Sequence, residues 1–138
     1  MTAIQTPAAA SASTSTRVLW ALQVLVGLFL LVGSAIPKFV GQSDAVRVIA
    51  EIGWGQWLRY VTGFFEAAGA IGLMVPRLAG AAATGLIALM IGAAAVQVTV
   101  LGSVAGAAFP LVLGVLFAFV ARRRRAGTLA LLRVLFGR

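Results

Sequence analysis

Glu66 is the residue of this chain with the most chemistry to account for, because it stands inside an apolar run, residues 57–75, of the length that crosses a bilayer. Placing a carboxylate-like charge at a helix centre in lipid costs about 2.5–3.5 kcal/mol, so this side chain needs a counter-ion, a proton or a polar cavity. Helical periodicity puts Arg59, Thr62, Glu66 and Gly69 at i, i+3, i+7 and i+10, on one stripe that should face other helices. Lys38, at the end of the preceding apolar run, is the natural counter-ion: its stem can follow a helix end while the ammonium reaches a carboxylate. Arg59 competes with it from Glu66's own helix. Such a pair either locks two helices together or handles a proton or ligand, and the residue types allow both.

Other polar residues gather at the same depth. At about 1.5 Å per residue, Glu66 lies roughly 9–13 Å from the start of its span and Gln97 about 6 Å from the end of the next. Both ends belong to one membrane face. Ser34, Lys38, Arg59, Thr62, Glu66, Gln97 and Thr99 therefore share one half of the bilayer, leaving Gln23 and Thr84 in the other. These positions predict a polar pocket opening to the outer face and capped by Trp54 and Trp57, although with Tyr60 these rings also suit an aromatic belt. With no cysteine and no histidine, disulfides, thiolate redox chemistry, a histidine shuttle and nearly all zinc, haem and iron–sulfur sites are excluded. No catalytic residue or metal ligand is assigned, and any redox role must borrow its electron carrier.

The elements that position these groups follow from composition. Of 138 residues, 62% are hydrophobic and 10% charged, where soluble domains run at about 45–50% and about 25%. The expected fold is all-α: an antiparallel four-helix bundle integral to the membrane, with spans at about 18–37, 57–75, 78–101 and 105–121. Residues 1–16, rich in Ala, Ser and Thr, read as a disordered tail. The first run is too long for a signal-peptide core and lacks a convincing cleavage site, so it is expected to be retained. Between the first two spans, Val46, Ile49 and Gly53 lie opposite an Arg47/Glu51 pair, as in a short interfacial helix, which the Gly53-Trp54-Gly55-Gln56-Trp57 stretch should end.

Basic residues set the orientation. Arg17, Arg77, Arg122, Arg123, Arg124, Arg125, Arg133 and Arg138 fall on one side, and Lys38, Arg47 and Arg59 on the other. That asymmetry places both termini in the cytoplasm. The net charge of +8 thus concerns topology, not nucleic acid. Residues 122–138 form a basic amphipathic tail, and Arg122, Arg123, Arg124 and Arg125 suit anionic lipids. Small residues paired at four-residue spacing (Gly63/Ala67, Ala68/Gly72, Ala81/Gly85, Ala88/Gly92) serve close packing inside the bundle, the alternative being a homo-oligomer face.

The order of these features resembles the DoxX-like family of small four-span bacterial membrane proteins. The matching stretches are Gly33-Ser34-Ala35-Ile36-Pro37-Lys38-Phe39, Ile52-Gly53-Trp54, Thr62-Gly63-Phe64-Phe65-Glu66-Ala67-Ala68-Gly69, Val75-Pro76-Arg77 and Ala88-Leu89-Met90-Ile91-Gly92. The resemblance implies a compact four-helix unit, in some members tied to quinone-linked oxidation of sulfur compounds or to redox complexes with soluble partners. Lys38 and Glu66 correspond to the family's recurring polar positions. Where relatives often carry a histidine near the end of the third span, this chain has Gln97, which hydrogen-bonds but exchanges no proton near neutral pH. The expectation is a partner-dependent subunit of a quinone-linked redox system, with a soluble oxidoreductase as partner and no cofactor of its own beyond the quinone. The alternatives are a proton-coupled transporter of lipophilic compounds and a non-catalytic scaffold.

Overall fold

The computed structural model describes residues 13–137. The described residues form helices and short connections, with no strand. In chain order the helices are α1 (Thr14–Leu30), a π-helical turn (Leu31–Ala35), α2 (Ile36–Val40), α3 (Ser43–Ile52), α4 (Trp57–Met74), α5 (Ala79–Thr99), α6 (Val104–Arg123) and α7 (Arg125–Phe136). The first helix starts earlier than expected. Ser13, whose hydroxyl accepts the Thr16 N–H, caps it, so Thr14 to Thr16 are helical and the rest of the expected tail lies outside the described residues.

Three helical stretches are long and apolar enough to cross a membrane: Thr14–Val40, which is continuous through the π turn, Ala79–Thr99 and Val104–Arg123. The protein is a multi-pass membrane protein. At 18 residues α4 is shorter than these three stretches, and its hydropathy is lowered by Arg59 and Glu66, which are both buried. Large apolar side chains such as Leu25, Phe64, Phe65, Ile91 and Val115 face outward, as they must where the surrounding medium is lipid.

The core, made by Leu30, Leu73, Leu86, Met90 and Phe117 with Ala70 and Ala83, lies between α1, α4, α5 and α6. The α5–α6 interface is the most extensive, α4 packs on both α5 and α1, and α1 and α6 meet far less. Small residues permit these approaches. A Cβ at Gly27 would sit 3.0 Å from the Ala70 carbonyl, and one at Gly72 would sit 2.7 Å from Ala82 Cβ. Gly85 and Gly92 have nothing within 4 Å of that position, so two of the expected small-residue pairs do not pack within the chain.

Glycines with positive φ end α2 at Gly41 (74°) and α3 at Gly53 (80°), so α3 is an independent amphipathic helix with Ile49 buried. On it, Arg47 reaches Asp44 at 3.4 Å rather than the expected Glu51, and both side chains are exposed. Gln56 donates to the Val46 carbonyl and ties α3 to the start of α4. The basic tail is helical: α7 turns at Arg124 and rests on α5, where Gly80 leaves room for Thr128 and the Arg124 backbone.

Candidate functional site

The site begins with Pro37. A proline inside a helix cannot donate to the carbonyl four residues back, and its ring crowds that carbonyl. Here the chain widens into the π turn just before it, where the Ile36 N–H bonds to Leu31, five residues back. One extra residue in a turn rotates all that follows by about 100°. Ser34, inside the turn, and Lys38, four residues later, then present together to α4. Ser34 Oγ donates to Glu66 Oε2 at 2.9 Å, Lys38 Nζ donates to the same oxygen at 2.6 Å, and Lys38 Nζ also donates to Ser34 Oγ at 2.8 Å.

Lys38 is therefore the counter-ion of Glu66. Arg59, the competitor, is used elsewhere. Its Nη1 donates to the Lys38 backbone carbonyl, its Nη2 donates to Tyr60 Oη at 2.9 Å, and the guanidinium lies 4.5 Å from the Tyr60 ring. The Lys38 carbonyl belongs to the last turn of α2, where carbonyls lack intrahelical partners and the helix dipole is negative. Arg59 thus caps the first long helix. Gly41 permits this, since the guanidinium packs 3.1 Å from where a Cβ would be.

The remaining expected site residues divide. Ser34, Glu66 and Gln97 line one cavity of about 390 Å³, together with Phe29, Leu30, Met90, Ala93, Gly106, Phe109, Pro110 and Leu113. The cavity lies on the weakly closed side between α1 and α6, where Phe29 and Phe109 meet edge to face at 5.9 Å. Lys38 and Ser34 border a second cavity of about 260 Å³ under α3, with Pro37, Gln42, Asp44 and Val48. Gly33 and Ser34 line both, so the π turn is the wall between them. Thr62 stands apart: its hydroxyl donates back to the Leu58 and Arg59 carbonyls. So does Thr99, which donates to the Ala95 carbonyl. Trp54 and Trp57 line neither cavity. They are 70% and 56% exposed, with Trp57 Nε1 donating to the Trp54 carbonyl at 2.6 Å, and the aromatic residues that line the larger of these two cavities are Phe29 and Phe109.

The sequence reading missed a polar link at the opposite end of the helices. Gln23, 1% exposed, donates to the Leu73 carbonyl at 2.8 Å and accepts from Arg124 Nε at 2.9 Å. Leu73 lies in the last turn of α4, so Gln23 satisfies a carbonyl that the helix leaves open. The signal was present in sequence: a buried amide in an apolar run requires partners. Arg123 lies over the Phe119 ring at 5.4 Å, while Arg122 and Arg125 meet no ring, ion-pair or hydrogen-bond partner among the described residues.

No curated protein and no solved structure matches this chain. The profile of the DoxX-like family matches residues 21–120 and so takes in α1 from its second turn, the π turn, the Lys38–Glu66 pair, both cavities and nearly all of α6. The chain belongs to the DoxX-like family.

Proposed function

We propose that this protein is a partner-dependent membrane subunit that binds a small lipophilic molecule, of which a quinone is the leading example, in the cavity between α1, α5 and α6. The observation that carries the reading is the cavity itself. At about 390 Å³ it lies in the range of small-molecule sites, and its apolar walls converge on three polar residues, Ser34, Glu66 and Gln97. A ring seated in the cavity against Phe29 and Phe109 would have its polar substituents near Glu66 and Gln97. A quinone there would supply two-electron redox chemistry, while these residues hold and orient it; the electron donor or acceptor is a soluble oxidoreductase. Arg122 and Arg125, exposed at the end that carries α7, suit anionic headgroups.

In this reading α1 with α2, α4, α5 and α6 are four spans of a bundle in the bacterial inner membrane. Buried Arg59 and Glu66 turn α4's polar stripe inward, which removes the objection from its lower hydropathy. Lys and Arg lie mainly on the side of the α4–α5 connection and of α7, which puts that side in the cytoplasm and α3 at the outer interface.

Protein purified from its native membrane should carry a lipophilic ring compound, detectable by mass spectrometry of an organic extract. Ala93→Phe, which fills the cavity from a partly open position, should lose it. Equal extracts from the two proteins would refute the reading.

A further inference from the structure

The hydrogen-bonding groups left free in the cavity point to a specific kind of head group. Glu66 Oε2 is saturated by Ser34 and Lys38, whereas Glu66 Oε1 accepts no hydrogen bond from any described residue, is not fully buried, and belongs to a side chain that lines the cavity. Ser34 has one proton and gives it to Glu66, so it has no donor left for a ligand. Paired with the Lys38 ammonium, the carboxylate is an acceptor only.

A second acceptor comes from α6. Pro110 has no N–H, so the carbonyl of Gly106, four residues earlier and also at the cavity wall, lacks its regular i+4 donor. Gln97, whose amide meets no described partner and lies against Gly106, offers one acceptor and one two-proton donor. The walls therefore present more acceptors than donors, and the charged residue among those lining the cavity, Glu66, is an acceptor.

We infer that the cavity selects a lipophilic molecule that donates hydrogen bonds, a phenol or hydroquinone, over the corresponding quinone or ether. The inference rests on the lipophile-binding reading above and narrows it. A quinone carbonyl placed against Glu66 Oε1 would bring two acceptors together, whereas a hydroxyl there makes a charge-assisted bond. The volume suits a single substituted ring. A longer tail has its exit where α1 and α6 are least joined, beside Phe29 and Phe109.

The test uses the full chain in lipid nanodiscs and titration calorimetry, with empty discs as the blank for partitioning. Three probes are compared: a decyl-substituted 1,4-hydroquinone, its benzoquinone, and its bis-O-methyl ether, which keeps the shape and removes the donors. Saturable binding of the hydroquinone at least about tenfold tighter than that of the other two is expected, the worth of a hydrogen bond to a charged group. Gln97→Leu, which leaves the ion pair intact, should weaken all three probes and keep the order. Saturable binding of the three with equal affinity, or tighter binding of the quinone, overturns the donor selection and leaves the lipophile site standing. Absence of saturable binding by any probe overturns both.

Discussion

The three groups that meet at the ion pair, Ser34, Lys38 and Glu66, could all be named from residue type and depth, and Lys38 stood as the natural counter-ion of Glu66 with Arg59 as its competitor. What depth and charge left undecided is direction, and direction removes the competitor: Arg59 turns toward the end of α2 and Tyr60, while Lys38 turns inward with Ser34. Thr62 is used differently. It shares the stripe of Glu66 but spends its proton on its own helix, as hydroxyls in membrane helices commonly do. The ion pair makes a prediction with a built-in asymmetry. Removing one member of a buried pair costs about 3–5 kcal/mol, and removing both is close to neutral. The Glu66 side chain is 9% exposed and the Lys38 side chain 20%, so stranding the carboxylate is the worse injury. Lys38→Met should therefore destabilise more than Glu66→Leu, and the double variant should recover most of the loss, as read from equilibrium unfolding in mild detergent. Additive losses would show that the two side chains do not act as a pair.

The long helices were legible as elements because lipid demands apolar runs of about 20 residues, and their ends differ from expectation by a few residues only. The π turn was not. Pro37 announced a disturbance, yet a proline can be met by a kink, a break or a wide turn, and packing against α4 decides among them. The helical state of α7 was equally out of reach, since its exposed Leu132, Leu135 and Phe136 fit any surface-bound segment. What holds it is local: the missing side chain of Gly80. A Cβ there would collide with Thr128 Oγ1 and stand 2.9 Å from the Arg124 carbonyl. Gly80→Ala should strain this contact by about 1–3 kcal/mol and speed tryptic cleavage in α7 roughly five- to hundredfold. Adding Thr128→Ala should slow cleavage again, and an unchanged rate in Gly80→Ala would mean that α7 is held by something other than this contact.

For the whole molecule, composition revealed the solvent, and the outward-facing Phe64, Ile91 and Val115 are its structural counterpart. Which helices adjoin was not written in composition, because apolar faces look alike when lipid and protein are equally apolar. The proposed topology is directly testable, since the chain has no cysteine and any introduced one is unique. Ser43→Cys and Val100→Cys should react with an impermeant maleimide on intact cells, whereas Leu78→Cys and Ala126→Cys should react only after the membrane is opened. The reverse pattern would invert the orientation. The two cavities meet at the π turn, and one turn of helix is all that divides them. The Lys38–Ser34–Glu66 cluster stands at that partition, so the side chains that form the ion pair also act as a plug between the polar recess under α3 and the more apolar cavity beside Phe29 and Phe109.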